Sequence, residues 1–156
     1  MLPERAATLA QQLRAVSEAF IALIEDIDDA HWQRVPGPGV WSPSKDAEHV
    51  ADGNAMHQWA VRQALGQQPG PPPPIERKQL IAQRARDEVA VLLRQCTADS
   101  VRLIEGLTEE QLRRPMQTRR GDLGDLIERV LIGHITRHQR EIERKLKAAK
   151  RVAARE

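Results

Sequence analysis

Two histidines four residues apart, His134 and His138, carry the strongest chemical signal in the sequence. Residues at i and i+4 are neighbours on one face of an α-helix, with Cβ atoms ~5–6 Å apart, so both imidazoles can reach a single ion. The stripe they occupy is apolar, running from Leu123 through Ile127 and Leu131 and on to Ile142. A polar ring turned inward on such a stripe must find a partner or lose roughly 1–3 kcal/mol. His49 is a third histidine of this kind, on a helical row with Asp46, Gly53, Met56 and Ala60, whose small and apolar members mark it as inward. Three imidazoles facing one interior can form a tridentate site that keeps a coordination position for water or substrate. The competing reading is three hydrogen-bonded histidines of a core or its boundary. His31 lies in a breaker-rich segment and reads as a surface residue. His57, two turns beyond His49, reads as a boundary position near the same cavity.

Helices must carry these residues. Ala6, Leu9, Leu13, Val16, Phe20, Ile24 and Ile27 keep the spacing of one helical face and predict a first helix from Arg5 to Ile27. After a loop through Pro36, Gly37, Pro38 and Gly39, Ser42 offers an N-cap oxygen and Pro43 suits the first helical position. The second helix therefore runs from Ser42 to about Leu65 and ends at Gly66. Gln67 to Pro74, with Pro71-Pro72-Pro73-Pro74, predicts extended polyproline II reaching ~25 Å at ~3.1 Å per residue. A tight antiparallel turn has no use for such a spacer, so the second and third helices are expected to run parallel, joined by a crossover. The third helix is expected over Glu76 to Glu105, with Ile81, Ala85, Val89, Leu92, Cys96, Leu103 and Leu107 near one stripe. Thr108 and Gln111 form a capping-box pattern, and Asp122 is the expected N-cap of a fourth helix running toward Leu146. The sum is an all-α, up-down-down-up four-helix bundle with a long Pro-rich crossover, spanning 1–149, with a basic tail at 150–156. A faint internal echo, Leu23-Ile24-Glu25-Asp26-Ile27 against Leu103-Ile104-Glu105-Gly106-Leu107, hints at two similar helical halves.

Composition narrows the function classes. At 156 residues the chain suits one domain, and 24 basic against 22 acidic residues leave a net charge of only +2. Interleaved charges argue against nucleic acid as a partner. The basic stretch from Arg140 to Arg155 is more simply a solvated helix end than a phosphate-binding stripe. There is no apolar run of membrane-spanning length and no basic-then-apolar start, and the single Cys96 allows no internal disulfide; a cytoplasmic protein without membrane contact is expected. Cys96, on an apolar stripe, reads as a buried structural thiol.

The order Trp41-Ser42-Pro43, then His49, a long crossover, and His134-Ile135-Thr136-Arg137-His138-Gln139 resembles the DinB-like superfamily of damage-inducible bacterial proteins, over essentially the whole chain. The resemblance implies a four-helix bundle, often a homodimer, holding zinc or nickel through three histidines, here His49, His134 and His138. It also implies thiol S-transferase or thiol-dependent isomerase chemistry with a low-molecular-weight thiol such as bacillithiol, mycothiol or glutathione. Such an ion would activate a thiol or a water, giving a transferase or a hydrolase-like enzyme acting on a small molecule. The alternative is a helical protein that binds a metal, a ligand or a partner without turnover. Asp46, Asp52, Asp125 and Glu141 are the carboxylates available to orient ligating rings. Trp41 is expected to plug the bundle end near His49.

Overall fold

The computed structural model describes residues 2–117 and 120–156. In chain order its helices are α1 (Glu4–Asp26), α2 (Asp29–Trp32), α3 (Pro43–Ala64), α4 (Arg86–Glu105), α5 (Glu109–Leu112), α6 (Leu123–Ile127) and α7 (Gly133–Arg155), with a π turn at Glu128–Ile132 joining the last two. Among the described residues the sole β feature is an isolated bridge between Pro115 and Asp122. The expected all-α four-helix bundle is what forms, from α1, α3, α4 and α7.

Cross-helix bonds give the directions. Arg14 of α1 pairs with Glu105 and Glu25 with Arg94, so α1 and α4 are antiparallel. Arg84 ahead of α4 reaches Asp52, whereas further along Gln58 reaches Ser100, so α3 and α4 run parallel. Asp46 meets Lys145 while His49 meets His134, which makes α3 and α7 antiparallel. The result is up, down, down, up. Its core is mainly aliphatic around a single phenylalanine: Leu13, Phe20 and Ile24 from α1, Val50 and Val61 from α3, Leu93 and Ile104 from α4, Ile135 and Ile142 from α7. No helix among the described residues is long and apolar enough to cross a membrane.

The helix starts follow their caps. The Ser42 hydroxyl accepts the Lys45 amide at 3.2 Å with Pro43 just inside the helix. Thr108 and Gln111 form the expected capping box, and Asp122 and Asp125 form a second. The internal echo has a structural counterpart: Ile24 and Ile104 are both buried near the ends of long helices, and each leads into a short helix capped by Asp28 or Thr108.

The crossover departs from expectation in two ways. Gly70 takes φ +80°, a left-handed conformation, so polyproline II is broken inside the expected 67–74 segment. The third helix begins at Arg86, not Glu76, because the intervening backbone groups have other partners. The Glu76 carboxylate accepts the amides of Lys78 and Gln79, the Ser44 hydroxyl accepts Ala82, and the Glu48 carboxylate accepts Gln83 and Arg84. Ile81, placed on the helical stripe by its spacing, is consequently 40% exposed. The expected single fourth helix is also divided, into α6, the π turn and α7. The π turn carries an extra residue per turn, which rotates the helix beyond it by roughly 100°.

The crossover thus lies back along α3 as a strap. Trp59 Nε1 donates to the Gly70 carbonyl at 2.9 Å, and the Ser42 amide donates to the Leu80 carbonyl at 2.9 Å. At its centre is Lys45, with 0% exposure, whose Nζ donates to the Glu76 carbonyl at 2.9 Å and to its carboxylate at 2.7 Å. Lys45→Ala would leave Glu48 buried beside an empty volume. It is expected to destabilise the fold by about 3 kcal/mol, read as a fall in the urea midpoint at unchanged m-value.

Candidate metal centre

His49 projects from the second turn of α3; His134 and His138 project from the first turns of α7, just beyond the π turn. The three rings are buried, and each offers a nitrogen within 4.8 Å of the others'. The Nε2 atoms of His49 and His134 are 3.2 Å apart. Two nitrogens bound tetrahedrally to one zinc at 2.0–2.1 Å would be ~3.3 Å apart. The donor set, all borderline imidazole nitrogen, suits zinc or nickel. All three expected histidines therefore meet at one point, and the group can hold a divalent ion.

Each ring is fixed differently. His138 Nδ1 is 3.1 Å from Asp46 Oδ1, and the other Asp46 oxygen accepts Lys145 Nζ at 2.5 Å. A carboxylate at Nδ1 puts the ring proton there and leaves the lone pair on Nε2. That Nε2 is buried and has no hydrogen-bond partner among the described residues. His134 is held by shape: a Cβ at Gly53 would lie 2.6 Å from its Cε1, so the ring occupies the space a side chain would take. Its other side meets the His57 ring edge-on at a centroid separation of 4.8 Å. Trp41 covers the end of the centre, 4.9 Å from the His49 ring and stacked on His138 at 6.4 Å.

The four carboxylates named as possible orienting groups are separated by the structure. Asp46 does the task. Asp52 pairs with Arg84 at 3.1 Å, Asp125 caps α6 and meets Arg5 at 3.2 Å, and Glu141 pairs with Arg144. His31 is bonded to Asp28 away from the centre, and Cys96 donates to the Ala51 carbonyl at 3.8 Å, its thiol pushed up by burial as a structural thiol's would be. Sequence reasoning missed Lys145, although it lies seven residues, two helical turns, beyond His138. It also missed the fit between Gly53 and His134, for which the inward row was the available sign.

Burial pulls His49 down from the ordinary 6.5 to about 4, with His138 and Arg77 pressing in the same direction. Burial likewise pulls His134 down to about 2, helped by His138, His57, His49 and Arg137. Both rings are neutral near pH 7, the state that ligates a metal.

A helical bundle that gathers three buried imidazoles in its interior, one of them backed by a carboxylate, defines a class of candidate metal-binding bundle protein. Residues 12–142 match the DinB superfamily, and the chain belongs to that superfamily. Comparison with the curated proteins and with the solved structures gives no match.

Two outcomes are expected of the metal-free protein. Because the unfolded histidines bind protons near 6.5 and the folded ones resist until about 4 or below, stability falls as the pH is lowered through 6.5 toward 5. Urea midpoints across that window check this, and His134→Gln should flatten the slope. Gly53→Ala should displace the His134 ring, seen as a shift of its imidazole NMR signals with the bundle's helical circular dichroism retained.

Proposed function

We propose that the protein is a divalent-metal enzyme of the DinB superfamily in which His49, His134 and His138 are the ligands, with zinc or nickel as the metal. The observation that carries this is the convergence of three buried imidazole nitrogens within 4.8 Å, one ring being oriented by Asp46. Burying three such rings, each with a ring nitrogen that has no hydrogen-bond partner among the described residues, would be costly without a shared ligand.

Bound there, the ion would keep its full double charge, since the ligands are neutral, and would favour the deprotonated form of a thiol or water. The reaction class that follows is transfer of a low-molecular-weight thiol to an electrophilic small molecule, or hydrolysis by an activated water. The chain's own residues supply the surroundings. Asp46 holds the proton of His138 on Nδ1, Lys145 keeps Asp46 in place, and Trp41 stacks on the His138 ring. The larger of the two openings beside the centre is the cleft of about 690 Å³ that His134 and His57 border.

Purified protein is expected to bind one equivalent of zinc or nickel, by elemental analysis and calorimetry. His134→Ala and His138→Ala should abolish stoichiometric binding, and Asp46→Asn should weaken it roughly 10- to 100-fold. Consumption of a thiol by an electrophile should then require the loaded protein and stop on chelation. Metal content unchanged in a variant lacking all three rings would end this reading.

A further inference from the structure

The cleft beside His134 is lined by Arg120, Arg129 and Arg137 as well as by Asp125 and Glu128. These charges do not cancel. Asp125 is already engaged by Arg5 at 3.2 Å and by the Asp122 amide at 2.9 Å, which leaves Glu128 facing three guanidiniums. Arg129 donates to the Arg120 carbonyl at 3.2 Å, tying the π turn to the segment before α6. That acceptor is an uncharged carbonyl, and neither guanidinium enters an ion pair among the described residues.

Arg137 has the most telling position. It follows His134 and directly precedes His138 on α7, and it enters no ion pair among the described residues. A second cleft, of about 370 Å³, opens on the His138 and Trp41 side of the centre, and Arg137 is the residue that lines both. Its neighbours on the helix show that pairing was available: Arg144 takes Glu141 and Lys145 takes Asp46. A guanidinium left free at the mouth of a buried centre has the planar donor fork that recognises carboxylate and phosphate.

We infer that Arg137, together with Arg120 and Arg129 in the same cleft, forms an anion subsite that binds a carboxylate or phosphate of the substrate and directs its other end toward His134. The centre itself adds no competing negative charge, because its one carboxylate, Asp46, is shared with Lys145. The substrate class is therefore an anionic small molecule, with its reactive group separated from the charged one. This rests on the metal reading above.

The test uses cobalt(II) in the full chain, because thiolate binding to cobalt gives a charge-transfer absorption that can be titrated. The probes are 3-mercaptopropionate, 2-mercaptoethanol and cysteamine, which share a two-carbon thiol and differ in tail charge. The wild type should bind 3-mercaptopropionate roughly three- to tenfold more tightly than 2-mercaptoethanol, with cysteamine weakest. The ion's own charge ranks the tails too, so the decisive quantity is the change on substitution. Arg137→Ala should bring the anionic-to-neutral ratio close to that set by the ion, Arg137→Lys should keep part of it, and all three proteins should still bind one equivalent of cobalt. Inorganic phosphate separates the two anions: displacement of 3-mercaptopropionate that Arg137→Ala abolishes supports phosphate recognition, and no displacement with the ranking intact supports carboxylate recognition. A ratio unchanged by Arg137→Ala and by the triple Arg120→Ala, Arg129→Ala, Arg137→Ala variant overturns the subsite and leaves the metal reading standing. Failure of the wild type to bind cobalt overturns both.

Discussion

The first turns of α3 are enclosed on every side, and the geometry of the histidine centre depends on that enclosure. An amphipathic helix ordinarily gives one face to water. Here Pro43 through Ala51 are buried without interruption, because the crossover lies over the face that would otherwise be wet. Enclosure on this scale requires partners for polar side chains. Lys45 finds the Glu76 carboxylate, Glu48 finds the amides of Gln83 and Arg84, and Asp46 finds His138 and Lys145. Each of these ties fixes the rotation of α3 about its axis. With that rotation fixed, His49 has one direction to point.

The same enclosure explains what the sequence did and did not disclose. Histidine placement was legible because it follows helical periodicity: His49 shares a row with Asp46 and Gly53, and His134 and His138 continue the row of Leu131. The parallel course of α3 and α4 was legible from the length of the proline-rich connection, although Gly70 breaks its extended course. The start of α4 was not, since residues 76–85 have a helical apolar spacing and the competing hydrogen bonds come from Ser44 and Glu48, more than thirty residues away. Local pattern carries no information about a distant acceptor. Lys45 was hidden for the same reason, as nothing next to it in sequence marks Glu76 as its partner. The π turn left no trace in composition; it arises where α6, capped at Asp122 and pinned by Arg5, must connect to an α7 whose phase is set by the histidines.

The two halves of the chain show how this centre is assembled from a repeated plan. Each half has a long helix, a short helix entered through a side-chain cap, and a second long helix carrying histidine inward. The crossover sets the halves so that their second long helices, α3 and α7, lie side by side in opposite directions. The ligands then arrive from both halves, one ring from the first and two from the second. Neither half has the set alone, so convergence of the rings reports correct packing of the whole bundle.

Charge is distributed around the centre with a clear bias. Burial keeps His49 and His134 neutral, and the one carboxylate in contact with the centre is balanced by an ammonium. Beyond that contact the groups acting on His49 and His134 include Arg77, Lys45 and Arg137, all cationic. Cations placed near imidazoles that must stay neutral reinforce the effect of burial, since protonation would add like charge. They also make a negative charge the natural complement of the cleft. The feature that keeps the rings ready to donate their lone pairs is thus the same one that sets the sign of what can approach them.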